Sequence, residues 1–167
     1  MDDRIKTEWA RFTNWHKDSF NPPAGEAIIS KTEAALGFAI PEGLKDVYRL
    51  SNGQLKMKAT GVFKNVSGAD VYTHVRFLSV EELPRAWNMI ISDKEISEEF
   101  NNEFLPFALE KEKTLGYCFG ISLKTGGIYM LWTDCTDYFT PVSWQLWRIF
   151  RANSMLEFIQ LQNLMFF

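Results

Sequence analysis

Ile5, Trp9, Phe12 and His16 recur at i, i+4, i+7 and i+11, which lines one face of an amphipathic helix. Asp2 and Asp3 before it suit the positive end of a helix dipole. Asn21-Pro22-Pro23 then forces a turn, because proline excludes helical geometry in the residue before it. A second helix is predicted from Ala24 to Leu36, with Ile28, Thr32 and Ala35 along its stripe and Gly37 as a left-handed cap onto which Phe38 folds back. The third helix opens at Ile40-Pro41, where the missing proline N–H costs nothing and Glu42 complements the dipole. Leu44, Val47, Tyr48 and Ser51 share its apolar face, and Asn52-Gly53 is the predicted stop.

After Gly53 the period changes from helical to alternating. Val62 to Val66 reads as a strand, and around Tyr72 to Leu78 the residues Tyr72, His74 and Arg76 alternate with Val71, Val75 and Phe77. Ser79 with Glu82 forms an S-x-x-E capping box that starts a helix carrying Trp87, Ile90 and Ile91, with Pro84 tolerated near its start. Phe104 to Leu109, Tyr117 to Leu123 and Ile128 to Thr133 read as further strands, the last two joined by a hairpin at Gly126-Gly127. The aromatic stretch from Trp144 to Phe150 fits either a short helix or a strand. Asn153 and Ser154, with Glu157 following, cap a final helix through Phe158, Ile159, Leu161 and Leu164. Helices thus bracket an antiparallel sheet, an α+β arrangement expected to form a single domain over residues 1–167.

Composition fits that picture. Apolar residues make up 46 % of the 167, with six Trp and fourteen Phe, which is ample for a core without staples. A net charge of −3 argues against nucleic-acid binding, which needs a basic face to displace phosphate counterions, and it permits a basic protein partner. The Met1-Asp2-Asp3-Arg4 start lacks a signal-peptide pattern and no apolar run is long enough to span a membrane, so the cytoplasm is the expected location. Cys118 and Cys135 stand alone, consistent with small buried hydrophobes in a reducing compartment.

Candidate chemistry is sparse. Neither His16 nor His74 has a ligand at metal spacing on its own element, and no nucleotide-binding or catalytic motif is present, so no cofactor and no metal are expected. Asp134 and Asp137, beside Trp132 and Tyr138, resemble the lip of a carbohydrate site, where two carboxylates can act as acid and base; a polar turn after a strand is the plainer reading. The strongest charge feature is the segment from Glu81 to Glu103. Its seven acids, Glu81, Glu82, Asp93, Glu95, Glu98, Glu99 and Glu103, face only Arg85 and Lys94, a net of −5. Such a pole would steer a basic partner, although a solvated helix face is the plainer account. Trp144 and Trp147, at i and i+3 beside Arg148, are candidate interface anchors that core packing would also explain. The apolar ending Met165-Phe166-Phe167 would pack down or serve a homodimer contact.

The segment Leu36-Gly37-Phe38-Ala39-Ile40-Pro41-Glu42-Gly43-Leu44-Lys45-Asp46-Val47-Tyr48-Arg49-Leu50-Ser51-Asn52-Gly53 resembles the signature of the SUKH superfamily of Smi/Knr-type domains. The resemblance continues in order through Phe77-Leu78-Ser79, Phe104-Leu105-Pro106-Phe107, the Ile128 to Trp132 strand and Ser154 to Ile159. That group includes fungal cell-wall assembly regulators and many bacterial immunity proteins. The resemblance implies a curved, mostly antiparallel sheet flanked by helices and a protein-binding role without catalysis. It implies a cognate toxin domain as partner for a single-domain bacterial member, or the partners of an intracellular regulatory scaffold for a fungal-type one. It assigns no contact residues, which rest on the acidic segment and the two tryptophans.

Overall fold

A computed structural model describes residues 2–56, 61–67, 70–92, 97, 102–110, 117–132 and 148–165. Chain order runs α1 (Asp3–Trp15), α2 (Glu26–Leu36), α3 (Glu42–Tyr48), β1 (Phe63–Ser67), β2 (Asp70–Phe77), a 3₁₀ turn (Val80–Glu82), α4 (Leu83–Ile91), β3 (Phe104–Leu109), β4 (Tyr117–Ser122), β5 (Ile128–Trp132), β6 (Arg148–Ala152) and α5 (Met155–Leu164). The six strands pair antiparallel in sequence order, β1 through β6, and the sheet curls into a half-barrel. This is the α+β architecture with a curved antiparallel sheet flanked by helices that the sequence implies. Three register shifts, at Asn65/Val66, between Pro106 and Ala108, and at Ile128/Tyr129, locally bend the strands. The middle one contains Pro106, which cannot donate to a ladder.

Aromatic side chains fill the space between the sheet and the helices. Phe63, Phe77, Phe107 and Phe119 come from four consecutive strands. They meet Trp9 and Phe12 of α1 and Phe158 of α5, with ring centroids 5.0–6.4 Å apart in the contacts to the helices. Each fully buried ring contributes about 1.5–3 kcal/mol through removal of apolar surface from water. α4 packs on β3, and its Trp87 receives Phe38 edge-on at 5.0 Å. Phe38 reaches it because Gly37 ends α2 in the left-handed conformation, φ 80°, as the sequence predicts.

Two expectations need correction. The buried stripe of α2 is Ile29, Thr32 and Leu36, while Ile28 and Ala35 are exposed. With two adjacent isoleucines, local pattern leaves the choice open, and packing against α4 and the 3₁₀ turn decides it. α3 ends at Tyr48 with Arg49 as its cap, well before Asn52-Gly53. Leu44, Val47, Tyr48 and Ser51 are all buried as expected. Gly53, however, is a point of close approach. It has φ 74°, and a Cβ there would lie 2.4–2.5 Å from the backbone of Leu78 and Ser79.

The remaining elements follow the sequence closely. Ser79 donates both its N–H (2.9 Å) and its hydroxyl (3.1 Å) to Glu82 Oε2, the capping box that begins the turn into α4. Ser154 accepts from Glu157 N at the start of α5, and Glu157 in turn accepts from Asn153 N. The stretch left open between helix and strand resolves as strand from Arg148 onward.

Candidate interaction surface

The signature helix is held by charge on its outer side. Arg49 donates from Nε to Glu26 (2.6 Å) and from Nη1 to Glu42 (2.6 Å) and to Asp46 (3.0 Å), tying α2 to α3. Asp46 is buried and also accepts the N–H of Asp2, which docks the start of α1. Lys45 pairs with Glu42 and Glu33, and Glu33 accepts the N–H of Ile40. The pairs to Glu26 and Glu33 bridge α2 and α3, so they position the helix within the scaffold.

Asn52 and Gly53 join that helix to the sheet. Asn52 accepts the N–H of Val80 at 2.8 Å, capping the 3₁₀ turn, and donates to Glu81 at 2.9 Å. Gly53 lets the exit of β2 pass against it. The neighbouring Gln54 donates its N–H to Phe77 O at 2.8 Å.

Of the acidic residues singled out from sequence, three lie in described positions. Glu81 is exposed, with its contact to Asn52. Glu82 is held in a two-point pair by Arg76 at 2.9 and 3.0 Å, with Lys56 also at 3.3 Å. Burial opposes ionisation of Glu82, but Arg76 and the Ser79 N–H outweigh it and bring the carboxyl down to about 2. Glu103 accepts from Ser122 (2.8 Å) and from Lys124 (3.1 Å). Of these three described residues, Glu81 alone presents its carboxylate mainly to solvent. Asp93, Glu95, Glu98, Glu99, Trp144 and Trp147 lie outside the described residues, as do Asp134, Asp137 and Cys135.

Among the described residues no group of three or more His, Cys, Asp or Glu is placed to hold a metal. His16 packs against Phe12 (4.8 Å) and Phe20 (6.5 Å), and burial, with Lys64 and His74 nearby, pulls it down to about 4. Cys118 is buried and its thiol is pushed up to about 12. Among the described residues no helix is long and apolar enough to cross a membrane.

Two surface features were not foreseen. An open groove of about 540 Å³ runs between α1 and the segment 18–22, lined by Trp9 and Phe20 and closed by Leu50 and Ser51. Ser51 holds the indole N–H of Trp9 at 3.0 Å. The second feature is β6, where Ile149 and Phe150 are both exposed and Phe150 meets Tyr129 edge-on at 5.5 Å. Tyr129 meets Phe104 in the same way at 4.8 Å, so an aromatic row runs across the sheet to its edge. The sequence signal was the Arg148-Ile149-Phe150-Arg151 run, which lacks an alternating pattern.

Comparison with known families places the chain. The profile of the SMI1 / KNR4 family (SUKH-1) matches residues 23–161, most of the chain, and the chain belongs to that family. α1 and the 18–22 side of the groove lie before the matched region. Comparison with the curated proteins gives no match.

Proposed function

We propose that this SUKH-1 family chain is a non-catalytic protein-binding domain, an immunity protein that neutralises a cognate bacterial toxin in the cytoplasm by direct binding. The observation that carries the reading is the family match over residues 23–161, taken with the positions of the signature residues. Leu44, Val47 and Tyr48 are buried, while Asn52 and Gly53 fasten one element to another. The defining residues thus serve the scaffold and leave the surface for partner contacts, which suits a binder whose recognition lies outside its signature.

The contacts we assign to the toxin are Glu81, Asp93, Glu95, Glu98 and Glu99, with Trp144 and Trp147 as anchors. A segment of net −5 speeds encounter with a basic surface, and tryptophans are frequent hot spots. Glu82, with both oxygens engaged by Arg76, and Glu103, with its oxygens engaged by Ser122 and Lys124, add their charge alone.

Co-expression with the toxin encoded beside its gene tests the reading. Growth should be restored, and reversing Glu95, Glu98 and Glu99 to lysine should slow association about tenfold or more at low salt. If no neighbouring toxin is neutralised, the reading falls. The same family match admits an intracellular regulatory scaffold. A pull-down that returned signalling or envelope-synthesis proteins in place of a toxin would favour that alternative.

A further inference from the structure

In an antiparallel pair, alternate residues turn their backbone N–H and C=O away from the partner strand. On an outer strand those groups can template pairing with another chain. β1 is first in the pairing order, with Lys64 opposite His74 of β2. The outward side of Lys64 is already taken. Its N–H is donated to Gln162 Oε1 of α5 at 2.8 Å, and its carbonyl accepts from Gln162 Nε2 at 3.0 Å. One side-chain amide thus makes both of the bonds that a residue of an added antiparallel strand would make. Two positions earlier, Val62 donates its N–H to Gln54 Oε1 at 3.1 Å. Both glutamines are buried, Gln54 at 1 % and Gln162 at 2 % exposure.

The last turn of α5 is fastened on two sides. Asn163, also buried, donates Nδ2 to the backbone oxygen of Glu8 in α1 at 3.0 Å and to its carboxylate at 2.8 Å. Lys64 Nζ reaches the carbonyl of Met165, the cap of α5, at 2.8 Å, where a cation suits the negative end of the helix dipole. Gln162 and Asn163 follow the last residue that the family profile covers, and α1 precedes its first. The clamp is therefore made by segments on either side of the profile. An apolar residue at 162 would bury the helix face equally well, but it would leave the N–H and C=O of Lys64 without these bonds.

We propose that Gln162 is an edge guard, a strand surrogate that keeps β1 from pairing edge to edge with a second copy of this chain. A second copy is the strand to exclude, because it brings an identical edge that a two-fold axis can match. Asn163 and Lys64 position the amide, and Gln54 extends the closure to the next outward residue. This guard goes beyond the protein-binding reading and does not rest on it.

Amide exchange and sedimentation of the full chain test the guard. In the unaltered protein the Lys64 amide should be protected to within about tenfold of Phe63, its neighbour facing β2, and the chain should stay monomeric up to millimolar concentration. Gln162→Met keeps an unbranched side chain and removes the amide. At micromolar concentration its Lys64 amide should exchange about tenfold faster or more than in the unaltered chain. At millimolar concentration its mass should rise, with concentration-dependent ¹⁵N–¹H shifts confined to residues 62–66. A variant that aggregates through general loss of stability would not confine its shifts to that strand. If Gln162→Met fails to fold, the Lys64 and Phe63 amides of the unaltered chain decide the question. Three results would overturn the proposal: a Lys64 amide that exchanges freely in the unaltered chain, a folded Gln162→Met that stays monomeric at millimolar concentration, or self-association whose shifts lie away from β1. None of these measurements involves a toxin, so failure here is distinct from failure of the immunity reading.

Discussion

Replacing Tyr48 by phenylalanine is expected to raise the stability of this protein. The Tyr48 ring is fully buried and stacks on Phe77 with centroids 5.1 Å apart and planes 14° from parallel. Its hydroxyl is buried with no hydrogen-bond partner among the described residues. Burial first, and the charges of Glu82 and Glu81 second, push its pKa well above the ordinary tyrosine value, so it is a neutral O–H at pH 7. A hydroxyl taken from water and left unbonded costs about 1–3 kcal/mol. Phenylalanine keeps the ring stack and removes that cost, leaving a void the size of one oxygen. A net gain of about 1–2 kcal/mol corresponds to a rise in Tm of roughly 2–8 °C for a chain of this length. Thermal unfolding followed by circular dichroism, with urea midpoints alongside, measures it. Tyr48→Leu is the control: it loses the ring and should cost about 2–4 kcal/mol. A fall of more than about 3 °C in Tyr48→Phe would refute the reasoning. It would mean that the phenol is bonded, for instance to a buried water, and that the signature tyrosine serves as more than a ring.

Gly53→Ala should be severe, because its Cβ would lie 2.4–2.5 Å from the Leu78 and Ser79 backbone and φ is 74°. A loss of at least about 3 kcal/mol in urea unfolding is expected, and a loss below about 1 kcal/mol would show that the two segments can separate freely. Acid should destabilise the protein in two windows. His16 is held at about 4 when folded against 6.5 when free, so the unfolded chain takes up that proton first and stability falls as pH drops from about 6.5 to about 4. Glu82 is held at about 2 against 4.5, so its contribution is complete above 4.5 and is lost as pH falls towards 2. Urea midpoints measured from pH 7 to 2.5 should decline through both windows, with His16→Phe flattening only the upper one. An undiminished slope between pH 6.5 and 4.5 in that variant would assign the upper window to another group.

What the sequence made legible was local. The Gly37 cap, the Ser79/Glu82 box and the Ser154/Glu157 box each depend on residues within four positions of one another, and all three are present as read. Alternation in β2 was equally clear, with Val75 and Phe77 buried and His74 exposed. The errors arose where distant residues decide. Gly53 looked like a helix stop because glycine after a helix usually is one, yet its neighbours in space are Leu78 and Ser79. Ile28 and Ile29 are indistinguishable by composition, and only the position of α4 selects between them. Gln162 meets Lys64 across 98 residues, a pairing that no local pattern signals. For the candidate surface, charge counting found Glu81 and Glu103, but it could not see that Lys124 and Ser122 already engage Glu103.

The run Asn52-Gly53-Gln54 concentrates three of these long-range tasks in one turn. Asn52 caps the 3₁₀ turn at Val80, Gly53 admits the Leu78–Ser79 backbone, and Gln54 both bonds Phe77 O and covers the N–H of Val62. None of the three is replaceable by a residue of different shape without loosening α3, the exit of β2 or the β1 edge. This fastening lies on the β1–β2 side of the sheet, together with Gln162 from α5. β6 sits four pairings from β2 in the ladder, but it leads into α5 and packs on it, so it reaches this fastening through that helix.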